Sequence, residues 1–138
     1  MTGRALDMRF IPEFANVDLA RGALQGICRE LFEPEGGSFT DNICLAATEA
    51  LNNAVEHSGS PVVELKVTAD RDGLTLRLTN SGVRFDPTVP ASMPDDADNP
   101  LGAEGGYGLA LVQQLVDSLE YAFRDGKNVL TMYKRYIG

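Results

Sequence analysis

The sequence predicts an α+β fold: a two-layer α/β sandwich whose mostly antiparallel sheet carries three helices on one face. Two consecutive segments near the start of the chain space their apolar residues by three and four, the period of an amphipathic helix. Further along, two pairs of segments alternate apolar and polar residues, and each pair is joined at an Asp-Gly turn, Asp72-Gly73 and Asp125-Gly126. One more helical segment stands between the pairs. Hairpins therefore build the sheet, which makes it antiparallel.

The elements follow in order. MRFIPEF alternates loosely and reads as an edge strand ended by Pro12. Asp18 is a candidate N-cap for the first helix, with Leu19, Ala23, Leu24, Ile27, Leu31 and Phe32 as its apolar stripe. Pro34 and the pair Gly36-Gly37 stop it. Thr40 or Asp41 caps a second helix, whose stripe is Ile43, Ala47, Ala50, Leu51, Ala54 and Val55, and which Ser58-Gly59 and Pro61 end. VVELKVTAD and LTLRLTN then form the first hairpin, with Val63, Leu65 and Val67 on one side of one strand and Leu74, Leu76 and Leu78 on one side of the other. From Pro87 to Gly106 no hydrophobic period survives, and the stretch holds Pro87, Pro90, Pro94 and Pro100 with Asp95, Asp96 and Asp98. Connections of that length inside a domain are often lids or binding loops. GLALVQQLVDSLEY reads as the third helix, with Leu109, Val112, Leu115, Val116 and Leu119 inward; EYAFRD and NVLTMYKRY make the last hairpin.

With 138 residues, 43% of them hydrophobic, the chain has the size of a single domain with one core. A formal net charge of -8 argues against nonspecific binding to nucleic acid and against docking on an anionic membrane. No apolar run reaches the length of a transmembrane helix, and MTGRALDMRF lacks the apolar centre of a signal peptide, so a cytoplasmic protein is expected. Cys28 and Cys44 have no metal-site spacing and read as two reduced, buried thiols.

Three segments carry chemistry. The second helix contains ATEALNNAVEHSG, with two adjacent asparagines, which are poor helix formers, at its centre. Glu49, Asn53 and His57 stand four residues apart and form one row, bordered by Asn52 and Glu56. A carboxylate in such a row suits a general base, and a carboxamide oxygen is a hard ligand suited to Mg²⁺. Taken alone, the row reads equally as a solvated polar face, with His57 a helix-end histidine. Next, Gly102-Ala103-Glu104-Gly105-Gly106-Tyr107-Gly108 opens the third helix, and the N–H groups of a glycine-rich helix start can cradle phosphate. Its spacing matches neither a Walker motif nor a dinucleotide-binding fingerprint, and by itself it also suits a hinge or a cap. Finally, Asn80-Ser81-Gly82-Val83-Arg84-Phe85-Asp86 reads by itself as a turn with Gly82 at positive φ.

In this order the three segments resemble the GHKL, or Bergerat-fold, ATPases, and most closely the anti-sigma-factor serine kinases of the RsbW and SpoIIAB type. The resemblance runs from about the first helix to the last strand. EALNNAVEH is similar to the family's N box, E-x-x-x-N-A-x-x-H, at Glu49, Asn53, Ala54 and His57. GGYGLALVQQLVDSLEY is similar to its second glycine box, and the acidic stretch at about 87–105 then corresponds to the ATP lid. The resemblance implies ATP and Mg²⁺ as cofactors. It implies Glu49 as the base that prepares a substrate hydroxyl, Asn53 as the Mg²⁺ ligand, and Gly106 and Gly108 as the phosphate cradle. Asn80 and Gly82 fall at the first glycine box, D-x-G-x-G in the family, where the aspartate accepts a hydrogen bond from the adenine amino group. This chain departs there: asparagine stands for the aspartate, and Arg84 for the last glycine. The amide oxygen of Asn80 can still accept. A neutral acceptor contributes about 1 kcal/mol against about 1.5–3 for a charged one, so adenine affinity is expected to be about tenfold lower.

By resemblance the chain is a serine/threonine protein kinase and anti-sigma factor acting on a STAS-type anti-anti-sigma protein, with a sigma factor as a further partner and a homodimer as a common assembly. Two alternatives stay open at this point. One is a module of the same fold that regulates by binding a sigma factor or antagonist with little or no nucleotide. The other is the ATPase domain of a histidine kinase, although no helix pair with a phosphoacceptor histidine is present.

Overall fold

The computed structural model describes residues 3–57, 59–84 and 110–137. The first strand, β1 (Arg4–Phe10), leads to helices α1 (Phe14–Leu31) and α2 (Ser38–His57). The hairpin β2 (Val63–Asp70) and β3 (Gly73–Ser81) follows, then a helix α3 over 110–115 and the hairpin β4 (Ser118–Arg124) and β5 (Lys127–Arg135). The five strands form one sheet in the order β1-β2-β3-β5-β4, and every neighbouring pair is antiparallel. The fold class expected from the sequence is the one observed.

Side-chain alternation gives the sheet one buried and one open face. Val63, Leu65, Val67 and Ala69 of β2 are buried, as are Leu74, Leu76 and Leu78 of β3 and Leu130 and Met132 of β5. Glu64, Lys66, Thr68 and Arg77 lie exposed on the other face. The inner face packs against Val17, Ala20, Leu24 and Cys28 of α1, against Ile43, Ala47, Ala50, Leu51 and Ala54 of α2, and against Val112 of α3.

Several local expectations are corrected. Strand β1 starts at Arg4 and stops at Phe10, because β2 supplies a pairing partner for every residue from Arg4 to Phe10. Helix α1 begins four residues before Asp18. The Glu13 carbonyl accepts the N–H of Asn16 and of Val17, so the backbone leaving Pro12 sets the start, and Asp18 instead pairs with Arg21 at 2.9 Å. The buried phase then follows Val17, Ala20, Leu24 and Cys28, and Leu19, two residues past Val17, is 73% exposed. The first hairpin turns through Arg71-Asp72, with Gly73 already paired to Asp70. The Asp70 carboxylate accepts the N–H of Asp72 and of Gly73 and closes the turn. A side chain at Gly73 would stand 2.4 Å from the Lys134 carbonyl, which is why glycine occupies the first position of β3.

Helix α2 begins at Ser38, and neither Thr40 nor Asp41 caps it. The capping group is Glu33, whose carboxylate accepts both the N–H (2.8 Å) and the hydroxyl (2.7 Å) of buried Thr40. An anion at a helix start satisfies free N–H groups and offsets the dipole. A Cβ at Gly37 would lie 2.3 Å from that carboxylate and displace it.

The third helix is shorter than its apolar period suggests. It stops at residue 115, and Ser118-Leu119-Glu120-Tyr121 belong to β4. Three bonds fix this end: Lys134 Nζ donates to the Leu115 carbonyl (2.7 Å), Asp117 N–H to the Tyr133 carbonyl (2.8 Å), and Arg135 N–H to the Asp117 carboxylate (2.6 Å). Pairing with β5 thus outweighs continued helix. The second hairpin turns as expected, with Asp125 at φ 54 and Gly126 at φ 74. Positive φ at both central residues is the type I′ geometry that matches strand twist.

Candidate functional site

Helix α2 carries the central row. Glu49 is half-buried, Asn53 is 8% exposed, and His57 is exposed with its Nε2 3.5 Å from the Glu56 carboxylate. Asn53, at the centre of the row, is therefore not on a solvated face. Asn53 sits among Ala50, Leu51 and Ala54, all buried. Its carboxamide has no hydrogen-bond partner among the described residues, although buried polar groups are nearly always paired. Leaving such a group unpaired costs about 1–3 kcal/mol. A polar side chain in the middle of a helix, buried and unsatisfied, is the pattern of a group held for a ligand rather than for the fold.

The chain just beyond α2 is pinned to the end of β3. Gly59 takes φ 63, and Ser60 turns back so that its hydroxyl accepts the N–H of Ser81 at 3.2 Å and lies 3.2 Å from the Ser81 hydroxyl. This brings the C-terminal end of α2, with Asn53 and His57, alongside the last residues of β3. Asn80 is there, 9% exposed, on the inner face of β3. Gly82 follows at φ 127, a value that favours glycine, and its N–H donates to the Gly126 carbonyl at 3.2 Å. Arg84 is exposed.

Asn80 does not stand alone. Across the β3–β5 ladder it faces Asn128, itself 6% exposed. The Asn128 amide donates to the Asn80 side-chain oxygen (3.1 Å) and to the Val83 carbonyl (2.9 Å), while the Tyr121 hydroxyl donates to the Asn128 oxygen. The rows of the inner face are apolar at Val67–Leu76–Met132 and Leu65–Leu78–Leu130, and turn polar at Asn80–Asn128. Neither Asn128 nor Tyr121 is foreseen from the sequence. The signal is in NVLTMY, where alternation puts Asn128 on the same side as Leu130 and Met132, an asparagine at an otherwise apolar position.

Gly106, Gly108 and the lid at about 87–105 lie outside the described residues. Among the described residues no group of three or more His, Cys, Asp or Glu side chains could hold a metal ion, and no helix is long and apolar enough to cross a membrane. Cys28 and Cys44 are free and buried; burial pushes the Cys28 thiol up to about 12, with smaller contributions from Cys44 and Glu33, and raises that of Cys44.

Residues 10–134 match the family model described as a histidine kinase-like ATPase domain. The chain is 36% identical to the serine/threonine-protein kinase BtrW of Bordetella bronchiseptica, over 68% of this chain and 68% of that protein. It is 28% identical to the serine-protein kinase RsbW of Listeria monocytogenes and to that of Listeria innocua, in each case over 86% of this chain and 78% of the relative. The antiparallel sheet with helices on one face, the N-box row on α2 and a match over most of its length agree: the chain belongs to the histidine kinase-like ATPase domain family.

Proposed function

We propose that this chain is an ATP-dependent serine/threonine protein kinase, a single cytoplasmic domain with a lid at about 87–105, that acts as an anti-sigma factor by phosphorylating a STAS-type partner. The observation that carries this reading is Asn53, buried and without a hydrogen-bond partner among the described residues, at the N-box position of α2. Family membership and relatives named as serine kinases support a kinase-like ATPase.

Asn53 fits a Mg²⁺ ion, because its amide oxygen is a hard ligand with no other partner among the described residues, and a cation of this kind takes the rest of its shell from water and phosphates. Bound there, the ion supplies neutralisation of phosphate charge. Glu49, one turn earlier on α2, would act as the base. As the acceptor hydroxyl oxygen bonds to the γ-phosphorus, the bond from that phosphorus to the bridging oxygen of ADP breaks, and the hydroxyl proton passes to the Glu49 carboxylate. Gly106 and Gly108 would cradle the phosphates with backbone N–H groups. Asn80 and Gly82 line the base end. A sigma factor and a second copy of the chain are the further partners this reading includes.

A second reading has a specific observation behind it. The Asn80 oxygen, the acceptor expected to hold adenine, already accepts from Asn128. This favours a module that binds its partner with weak or no nucleotide. Calorimetric titration of ATP with Mg²⁺ separates the two: saturable heat supports the kinase, and its absence at millimolar ATP supports the module. Transfer of labelled γ-phosphate to a serine in one of a panel of STAS-type proteins then tests the kinase directly.

A further inference from the structure

We propose that the open face of the sheet docks an acidic segment of a partner protein, gripped by two cation pairs, Lys66 with Arg77 and Arg124 with Lys127. The face lies on the side of the sheet away from Asn53 and Asn80, and the proposal does not depend on the roles of those residues.

An antiparallel sheet commonly leaves one face in water, and charged residues there are ordinary. The arrangement of their signs is not. Alternation along the paired strands sends Arg9, Lys66, Arg77, Arg124, Lys127 and Arg135 outward, half of the twelve Lys and Arg residues of the chain. Of its twenty Asp and Glu residues, Asp7, Glu64, Asp70 and Glu120 share that face. The face is thus net positive in a chain of net charge -8.

Opposite charges across neighbouring strands stabilise a sheet, and like charges directly opposite destabilise it. Arg9 follows the rule: its Nε lies 3.5 Å from the carboxylate of Glu64, the residue opposite. Lys66, however, stands directly opposite Arg77, and Arg124 directly opposite Lys127. All four are exposed, and none forms an ion pair with a described residue, not even Lys66 with Asp7 on β1. No acidic residue of this face stands opposite another. Both like-charge pairs are therefore cationic, and an anionic group seated over each would relieve the repulsion.

The surface between the pairs suits such a segment. Thr79, Ala122, Val129 and Thr131 are half-buried, and over them, bordered by Arg77 and Arg124, opens a hollow of about 700 Å³. Lys127 pairs with Ser81, four residues beyond Arg77. With a rise of about 3.4 Å per residue and strands about 4.8 Å apart, the two cation pairs are roughly 17 Å from each other. About five extended residues or three helical turns span that distance. A segment with acidic side chains at both ends and small residues between them matches the face. The negative charge of the rest of the chain disfavours nucleic acid as the occupant, and a second copy would set the same net positive face against itself.

The test titrates the whole ¹⁵N-labelled chain with a blocked octapeptide that has a Glu pair at each end and Ala and Ser between, read by amide NMR shifts. Saturable shifts are expected, centred on Thr79, Val129 and Thr131, and added salt should weaken the binding. A double variant, Lys66→Gln with Arg77→Gln, should bind about tenfold more weakly, the effect of two exposed ion pairs. Arg77→Glu should also weaken binding, yet unfold at the same or a higher urea concentration, because it meets Lys66 with the opposite charge. Absence of saturable shifts, shifts centred off this face, an unweakened double variant or a less stable Arg77→Glu overturns the proposal. So does tighter binding of an oligothymidylate of matched charge, which would make the face a nucleic-acid surface. A dimer of the native chain that Arg77→Glu dissolves overturns it in favour of a second copy. Each of these outcomes leaves the nucleotide reading standing.

Discussion

Ser60 and Ser81 hold the end of α2 to the end of β3: the Ser60 hydroxyl accepts the Ser81 N–H at 3.2 Å and stands 3.2 Å from the Ser81 hydroxyl. The same hydroxyl donates to the Val62 carbonyl. Ser60 is 5% exposed, so these bonds have no ready replacement in water. Ser60→Ala should cost about 1–3 kcal/mol, measured by urea denaturation. It should also weaken Mg-nucleotide binding in conditions where the variant is fully folded, because Asn53 and Asn80 lose their common anchor. Unchanged affinity would show that the two asparagines are placed independently.

Asn53→Ala should separate stability from function. Deleting a buried carboxamide that has no partner among the described residues removes a desolvation cost, which offsets the small cavity left behind. Thermal unfolding should therefore move by less than about 1 kcal/mol in either direction. Mg²⁺-dependent nucleotide binding should be lost. A large destabilisation would mean that Asn53 serves the fold.

Glu49→Gln keeps shape and polarity but removes the base. Nucleotide affinity should stay within about threefold of native, while transfer to a protein hydroxyl should fall by about 10²–10⁴-fold, the usual contribution of a positioned base. Single-turnover assays with saturating nucleotide read this directly, and native rates in the variant would remove Glu49 from the chemistry.

Glu33→Ala addresses the fold alone. It takes the anion from the start of α2 and leaves the N–H and hydroxyl of buried Thr40 without their acceptor. A loss of about 1–3 kcal/mol is expected on chemical denaturation, with nucleotide binding unchanged.

The thiol of Cys28 gives a pH signature. Burial raises it from 9.0 to about 12, so between those values the unfolded chain releases a proton that the folded chain keeps. Fewer protons on the unfolded state means that stability falls as pH rises through this window. Alkaline unfolding should be less steep in Cys28→Ala. In the folded native protein Cys28 should resist alkylation at pH 8 and react once denaturant is added.

Much of this architecture is legible in the sequence because it rests on local periodicity. The stripe Ile43, Ala47, Ala50, Leu51 and Ala54 marks α2 and is buried as expected. The alternation in β2 and β3 fixes their inner face, and Asp125-Gly126 marks its turn. What was missed depends on partners distant in the chain. Leu119 continues a helical period, yet Lys134, Tyr133 and Arg135 stop the helix before it. The cap of α2 comes from Glu33, on the far side of a glycine turn, where a search of the adjacent residues does not reach. At the site, the spacing of Glu49 and Asn53 could be read directly. The coupling of Asn80 to Asn128 could not, since it exists only once β3 and β5 pair.

That β3–β5 pairing also sets how freely the protein can vary. Strands β3 and β5 are bonded to each other, so everything from Ser81 to Ser118 is a single closed excursion from the sheet. The entropy of closing such an excursion grows only logarithmically: doubling its length costs about 0.6 kcal/mol. Length changes that spare α3, whose Val112 is buried in the core, cost little by this measure, whereas one residue added within β3 would turn Asn80 out of the inner face. Sequence drift can therefore change the length of this connection while the register that holds Asn80 against Asn128 stays fixed.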